Sequence, residues 1–348
     1  MQTPLPYADD IEVVPTNEND DIRALIDVLR RILLQTAEQT GEHRRDVHAK
    51  GNGCALGELQ VLPVGEPLAQ GLFSRAGHYP VIVRFSNSSP FPQADAIPDG
   101  RGLAIQVHNV SGPLMTTSDG PIQNFVMVNH PTFIVPAVKD YLAIEQARVG
   151  RNKLNRVLQL LTRGRTNPLS WRWNSLSAVA SIFTQPPAHP AAYTYYSMVP
   201  FRFGNWIAKY RVTLESRRQE WLFQTAIDSL RHSDAMRRTL AETLRNNDLI
   251  MSFEVQLRTS ENKMPIEDAS VEWPQNESPY RQVGRLILPR QDIDLPSTQR
   301  INDASFNVWH GLVDHRPLGG INRLRRQVYD LSASWRQSKP FEWHTGKE

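Results

Sequence analysis

Arg325, Tyr329 and Arg336 stand at i, i+4 and i+11 in a stretch whose apolar spacing predicts a helix over 321–337. At about 100° per residue the offsets are about 400° and 1100°, within about 40° of one another once whole turns are removed. One helix face therefore carries a phenol with a guanidinium a turn before it and another two turns after. A phenol with a pKa near ~10 is a poor metal ligand while protonated. A neighbouring guanidinium favours the phenolate by charge and hydrogen bonding and is expected to lower that pKa. The phenolate is then an anionic ligand suited to oxidised iron. On a helix, Arg-x-x-x-Tyr is also an ordinary packing pair, so the helix by itself leaves both readings open.

The second group of residues is Arg45-Asp46-Val47-His48-Ala49-Lys50-Gly51, which places a histidine just before a glycine-rich turn. A base that takes a proton from one peroxide oxygen and returns it to the other needs a pKa in the range of histidine. A loop histidine is also commonly structural or solvent-exposed. The glycines that follow, Gly51, Gly53 and Gly57, have the spacing G-x-G-x-x-x-G, which is no dinucleotide fingerprint. His310 and His315, at i, i+5 on a loop with no third ligand in view, make a weak zinc or iron site.

The elements that must position these residues alternate in texture. Asp21 to Gln39 predicts an amphipathic helix, with Ile22, Leu25, Ile26, Leu29, Ile32 and Leu33 at helical spacing. From about Gly53, four β-rich runs follow (53–64, 79–89, 102–110 and 124–131), broken by Pro, Gly and Asp clusters. A helical stretch over 136–183 comes next, containing VKDYLAIEQ, KLNRVLQLLT and SLSAVASIF. β-rich runs return at 201–216, 249–260 and 281–291, with a helical segment from Glu220 to Asn246 between the first two. Two blocks of strands divided by helices, without βαβ alternation, predict an α+β protein built on an antiparallel β-barrel with inserted and flanking helices.

Charge and composition bound the function. Lys and Arg number 39 against 36 Asp and Glu, so the net charge of +3 does not mark a nucleic-acid binder. The one basic cluster, Arg323 to Arg326, interrupted by Leu324, reads as a solvated helix face. The single Cys54 permits no intramolecular disulfide, which fits a reducing compartment. No apolar run approaches ~18 residues and the first residues lack a signal-peptide pattern, so a cytoplasmic location is expected. The 25 prolines fit long ordered connections.

Taken in order, these segments resemble the haem catalases. The run 45–51 with its glycines looks like the distal segment of that family. Val83-Arg84-Phe85-Ser86 looks like its next strand, and Asp99-Gly100-Arg101-Gly102-Leu103-Ala104 like the turn after it. Phe125 to Phe133, with Asn129-His130-Pro131, resembles the following strand and turn, and Arg325, Tyr329 and Arg336 match the proximal pattern R-x-x-x-Y-x6-R. The likeness is clear over about 45–133 and 273–336. It implies one haem domain over 1–348. Within it, 1–19 is a polar leader, 20–40 a helix and 45–133 the first strand block with the distal side. Residues 135–270 are the helical insertion and second strand block, and 271–336 the last strand and proximal helix.

The resemblance implies that Tyr329 ligates the iron, with Arg325 as its hydrogen-bonding partner, and that His48 is the distal acid/base. Ser86 would hold the other ring nitrogen of His48. Arg45, Arg84 and Arg336 would hold the propionates, Val47 would narrow the distal pocket, and Phe133 would pack near the porphyrin. The haem would be b-type, since no C-x-x-C-H motif is present. A gap-free count from Pro131 puts Pro121 at the family's distal Asn position; Asn124 or Gln123 could reach the pocket instead, or no residue takes that part. The chain ends twelve residues after Arg336, without the long helical tail of large catalases, and so resembles the small catalase-related peroxidases. A shorter channel would admit organic or fatty-acid hydroperoxides besides hydrogen peroxide, with an electron donor as second partner and a homodimer or larger homo-oligomer as the assembly. Two alternatives stand beside this reading. Allene oxide synthases resemble catalases but rearrange hydroperoxides, and carry Thr where this chain has Val47; a haem-binding barrel without turnover is the other.

Overall fold

A computed structural model describes residues 3–117, 120–149, 173–215, 217–225 and 227–336, with Thr162 and Asn167 besides. The expected helical run KLNRVLQLLT lies almost wholly outside these residues.

The strands are β1 (Gly51–Val61), β2 (Gly77–Asn87), β3 (Arg101–His108), β4 (Ile122–Val128), β5 (Tyr195–Tyr196), β6 (Phe201–Phe203), β7 (Trp206–Leu214), β8 (Leu249–Leu257) and β9 (Arg281–Leu288). All pairings are antiparallel, and β5 joins β4 to β7, which closes an eight-stranded barrel with β6 hairpinned onto β7. Closure removes the open edges that such a sheet would otherwise present. Period-two alternation fixes the faces. Val81, Val83 and Phe85 of β2, Leu103, Ile105 and Val107 of β3, and Phe125 and Met127 of β4 fill the interior with Tyr210, Val212, Met251 and Phe253. On β2–β4 the even-numbered residues point outward, and Ile82, Ala104 and Val126 pack there with Cys54, Ile301, Ala304 and Phe306.

The main helices are α1 (Glu18–Thr40), α2 (Val138–Val149), α3 (Trp173–Thr184), α4 (Ala235–Asn246) and α5 (Gly320–Trp335). The predicted first and last helices are present within a few residues of their expected ends. α1 stops at Gly41, whose φ of 70° is the left-handed conformation that glycine adopts freely. Leu324 and Val328 of α5 are buried against Ile22, Leu25, Ile26 and Leu29 of α1 and Val138 of α2. Each such side chain contributes roughly 1.5–3 kcal/mol when fully buried. This packing holds one face of α5 and leaves the adjacent face, with Tyr329, for the barrel.

Two expectations are corrected here. The helix expected from Glu220 to Asn246 is helical only from Ala235; before it come a 3-10 stretch over Arg217–Gln224 and turns. Leu222 packs into the barrel core and Ile227 against it, but Leu230 is 93% exposed, and Asp228 accepts from the Arg231 backbone N–H in a local turn that interrupts the helical run. The basic cluster on α5 is not a solvated face. Arg323 is enclosed by Glu12, Glu18 and Glu267, and Arg325 is buried, leaving only Arg326 exposed over the Trp309 ring. Glu12 belongs to the polar leader, which is docked: Leu5 and Tyr7 donate backbone N–H bonds to the carbonyls of Arg258 and Asn205.

Candidate active site

On the outer face of β2–β4 a cavity opens between the sheet, the segment carrying His48, residues 305–306 and α5. Its volume is about 60 Å³, within about 540 Å³ of atom-free space that includes open solvent. Its lining includes Arg45, Val47, His48, Arg84, Ser86, Tyr329 and Arg336, seven of the residues singled out above. Arg325, Phe133 and Asn124 are not in the lining.

His48 has a φ of 58°, a left-handed conformation that a histidine tolerates only when its surroundings hold it. Its N–H donates to the Ser88 carbonyl at 3.1 Å, and its own carbonyl accepts from Arg84 Nη2 at 2.8 Å. The ring then meets Ser86 Oγ at 3.0 Å through Nδ1. Burial pushes its pKa down to about 3, aided by the positive charge of Arg84, so the imidazole is neutral near pH 7. Gly102, across the β2–β3 ladder from Ser86, is what lets the ring lie there: a Cβ at this position would sit 2.5 Å from His48 Nδ1.

The three arginines converge from distant parts of the chain. Arg45 Nη2 donates to the carbonyls of Asn302 and Ala304, both at 2.8 Å, and Arg84 Nε donates to Asn302 Oδ1 at 2.8 Å. Arg336 caps α5, with Nη1 on the Asp303 carbonyl at 3.4 Å and a buried Nε that has no partner among the described residues. None of the three forms an ion pair among the described residues, and burial together with the charge of Arg84 lowers the pKa of both Arg45 and Arg336, the latter to about 10. Asp46 and Asp303 oppose these charges without pairing with them, so three guanidiniums this close still leave a local excess of positive charge at the cavity.

Around Tyr329 and β4 the side chains are engaged as follows. The Tyr329 pKa is raised, because burial outweighs the opposing charge of Arg325, and Asp46 raises it further. Arg325 gives its hydrogen bond to Asn322 Oδ1 at 3.2 Å, not to the phenol, and acts on Tyr329 through charge. Asn124 points outward beside Val126, yet its amide is committed: Oδ1 accepts from Gln106 Nε2 at 3.0 Å, and Nδ2 donates to the carbonyls of Asn307 and His310. Gln123 accepts from the Leu312 N–H at 2.8 Å and donates to the Asn124 carbonyl, so neither amide is free for the cavity. Phe133 packs its ring edge-on to Tyr141 at 5.1 Å, away from the lining.

His315, weighed as a metal ligand, is buried in the barrel. Its Nε2 accepts from the Leu72 N–H and its Nδ1 pairs with Tyr210 Oη at 2.9 Å. Among the described residues no group of three or more His, Cys, Asp or Glu side chains converges.

Sequence spacing missed Asp46 and Ser332. The Asp46 carboxyl lines the cavity two residues before His48 and receives a hydrogen bond from Ser332, three residues after Tyr329, while burial raises its pKa. That contact ties the segment of His48 to the helix of Tyr329. It had no local signature, since the two residues are brought together only by the fold.

No protein-family model and no curated protein matches the chain. Solved structures do. A fungal catalase superposes with a TM-score of 0.65 at 18% identity, covering 88% of this chain and 62% of its own. A bacterial catalase gives 0.63 at 18%, covering 95% and 64%, and catalase A from Saccharomyces cerevisiae 0.64 at 17%, covering 97% and 67%. The chain thus spans about two thirds of the length of these structures. A closed antiparallel barrel that superposes on these structures over nearly the whole chain identifies the architecture: this protein has the catalase fold.

Proposed function

We propose that the chain holds haem b in this cavity and uses it to reduce hydrogen peroxide or organic hydroperoxides. The observation that carries the reading is that Tyr329 and His48, from opposite ends of the sequence, line one cavity with three arginines that form no ion pair among the described residues. The donor set fits the group. A phenol suits ferric iron, the excess positive charge at Arg45, Arg84 and Arg336 suits two propionates, and the orphaned Nε of Arg336 lacks an acceptor that a carboxylate would provide.

Bound there, haem would supply an iron centre able to give up electrons to a peroxide O–O bond as it is cleaved, to be restored by a second peroxide or an electron donor. The chain's own residues would do the rest. Tyr329, a phenol whose proton burial retains, would release it on ligation. His48, neutral and held at Nδ1 by Ser86, would take the peroxide proton at Nε2 and pass it to the outer oxygen, which leaves as water or alcohol. Val47 would narrow the space over that proton, and Ser86 would fix the ring's tautomer.

The test is the visible spectrum of the chain reconstituted with haemin, followed by peroxide turnover. Tyr329→Phe should alter the Soret band, and His48→Ala should keep the haem and lose at least about 10²-fold in turnover. Tight haem binding with negligible turnover in the unaltered chain would instead mark a haem carrier. A lipid hydroperoxide consumed without an electron donor, giving a rearranged product, would mark an isomerase.

A further inference from the structure

Arg101 opens β3 and is 1% exposed, one of the two largest fully buried side chains among the described residues. The odd-numbered residues of β3 point into the barrel, as Leu103, Ile105 and Val107 do, so this guanidinium enters the interior at the rim. The even-numbered Gly102 and Ala104 face the cavity described above. The two environments are separated by the sheet.

The Arg101 backbone is fixed: its N–H donates to Asn129 Oδ1 at 2.7 Å and its carbonyl accepts from the Asn129 N–H at 3.0 Å. The side chain is held at one point only. Nη1 donates to Asn87 Oδ1 at 2.7 Å, an oxygen that also accepts from Asn52 Nδ2 at 2.7 Å. Nε and Nη2 have no partner among the described residues, and neither have Asn87 Nδ2 and Asn52 Oδ1 in the same network. Nε–H and Nη2–H form one edge of the planar group, the edge that clasps an anion with two parallel bonds.

Nearby acids do not fill that edge. Asp99 feels the charge of Arg101, but its carboxylate accepts from the Ser89 and Gly100 backbone. Asp95 pairs with Lys50 and accepts the Met236 N–H. Tyr195, also within reach of that charge, gives its hydroxyl to the Pro190 carbonyl at 2.7 Å. Asp99 opposes the guanidinium charge only without contact, so the free edge has no anionic acceptor among the described residues.

We propose that the free edge of Arg101 binds a small inorganic monovalent anion, of the halide or nitrate class, inside the barrel rim. Water would satisfy the hydrogen bonds but not the charge. The site is independent of the haem reading, because it lies on the other face of the sheet and uses none of the cavity residues.

Bromide is the probe. With ionic strength held constant by gluconate, raising bromide from about 10 to about 300 mM should raise the melting midpoint of the full chain by about 2–4 °C. Arg101→Met, close in shape and uncharged, should abolish that response. Should the variant fail to fold, a bromide-soaked crystal of the unaltered chain decides: an anomalous peak between Nε and Nη2 of Arg101 supports the site. A bromide-independent midpoint with only water in that edge overturns the proposal, as does a bromide response that survives in Arg101→Met.

Discussion

The backbone of Gly102 lies against the imidazole of His48, so close that a methyl group on its Cα would come within 2.5 Å of Nδ1 and 2.6 Å of Ser86 Oγ. Neither atom has room to yield, because Ser86 is 4% exposed and Arg84 holds the His48 carbonyl. Gly102→Ala should therefore push the ring off Ser86. The expected cost is about 1–3 kcal/mol in stability and about 10²-fold in peroxide turnover at unchanged haem content. Denaturant midpoints and turnover per bound haem read the two separately, and an alanine variant with full turnover would remove His48 orientation from the mechanism.

Asn302 serves two arginines at once, with its side-chain oxygen on Arg84 Nε and its carbonyl on Arg45 Nη2, both at 2.8 Å. Asn302→Ala deletes only the first of these bonds. Leaving the buried Nε without its acceptor should cost about 1–3 kcal/mol, measured by urea denaturation of the haem-free chain. Loaded chain should also release haem faster to an apoprotein acceptor, because Arg84 no longer keeps its orientation. Unchanged release would take Arg84 out of the proposed propionate cradle.

The barrel was legible because inward alternation and turn residues bracket each long strand, so β1–β4 and β7–β9 lie where the β-rich runs predict. β5 was not, since Tyr195–Tyr196 is too short to alternate, although it is the strand that closes the ring. Helical period placed Arg325 and Tyr329 on adjoining faces, but period does not say where a guanidinium spends its hydrogen bond. Asn322, three residues before Arg325, takes it. His48 and Ser86 were readable as a pair only through family order. Asn302 was unreadable, because its contact with Arg45 spans 257 residues and depends on how residues 300–306 cover the barrel. The partners of Asn124 were equally unreadable, because the carbonyls of Asn307 and His310 reach it from more than 180 residues away.

Arg323 gathers three carboxylates: Glu18 at 2.6 Å from Nε, Glu12 at 2.5 Å from Nη1 and Glu267 at 2.8 Å from Nη2. Glu12 and Glu18 are at most 7% exposed in their side chains, and Arg316 shares only Glu12. Arg323→Met would leave buried carboxylates facing one another, with an expected cost of about 3–5 kcal/mol. The unfolding midpoint in urea checks it. Glu267→Gln, at the most exposed of the three carboxylates, should cost far less, and equal losses in both variants would contradict the account. Because α5 begins at this cluster, the arginine variant should also disturb the environment of Tyr329, visible as a broadened Soret band in the loaded chain.

Acid should destabilise this fold well before its surface carboxylates titrate. His189 is fully buried; its Nδ1 accepts from the Ala191 N–H at 3.1 Å and its Nε2 meets Thr243 Oγ1 at 3.0 Å. Burial pushes its pKa down from 6.5 to about 4. Between those two values the unfolded chain binds a proton that the folded chain refuses, so the stabilisation is complete above pH 6.5 and is lost as the pH falls towards 4. At about 1.4 kcal/mol per pH unit, this one imidazole accounts for roughly 3 kcal/mol over that window. His189→Asn keeps an acceptor for the Ala191 N–H and removes the titration. Its stability should therefore fall less steeply than that of the unaltered chain between pH 6.5 and 4, measured by urea unfolding at each pH. Parallel pH profiles for the two chains would show that another group governs acid unfolding, with His108, lowered to about 4, as the next to replace.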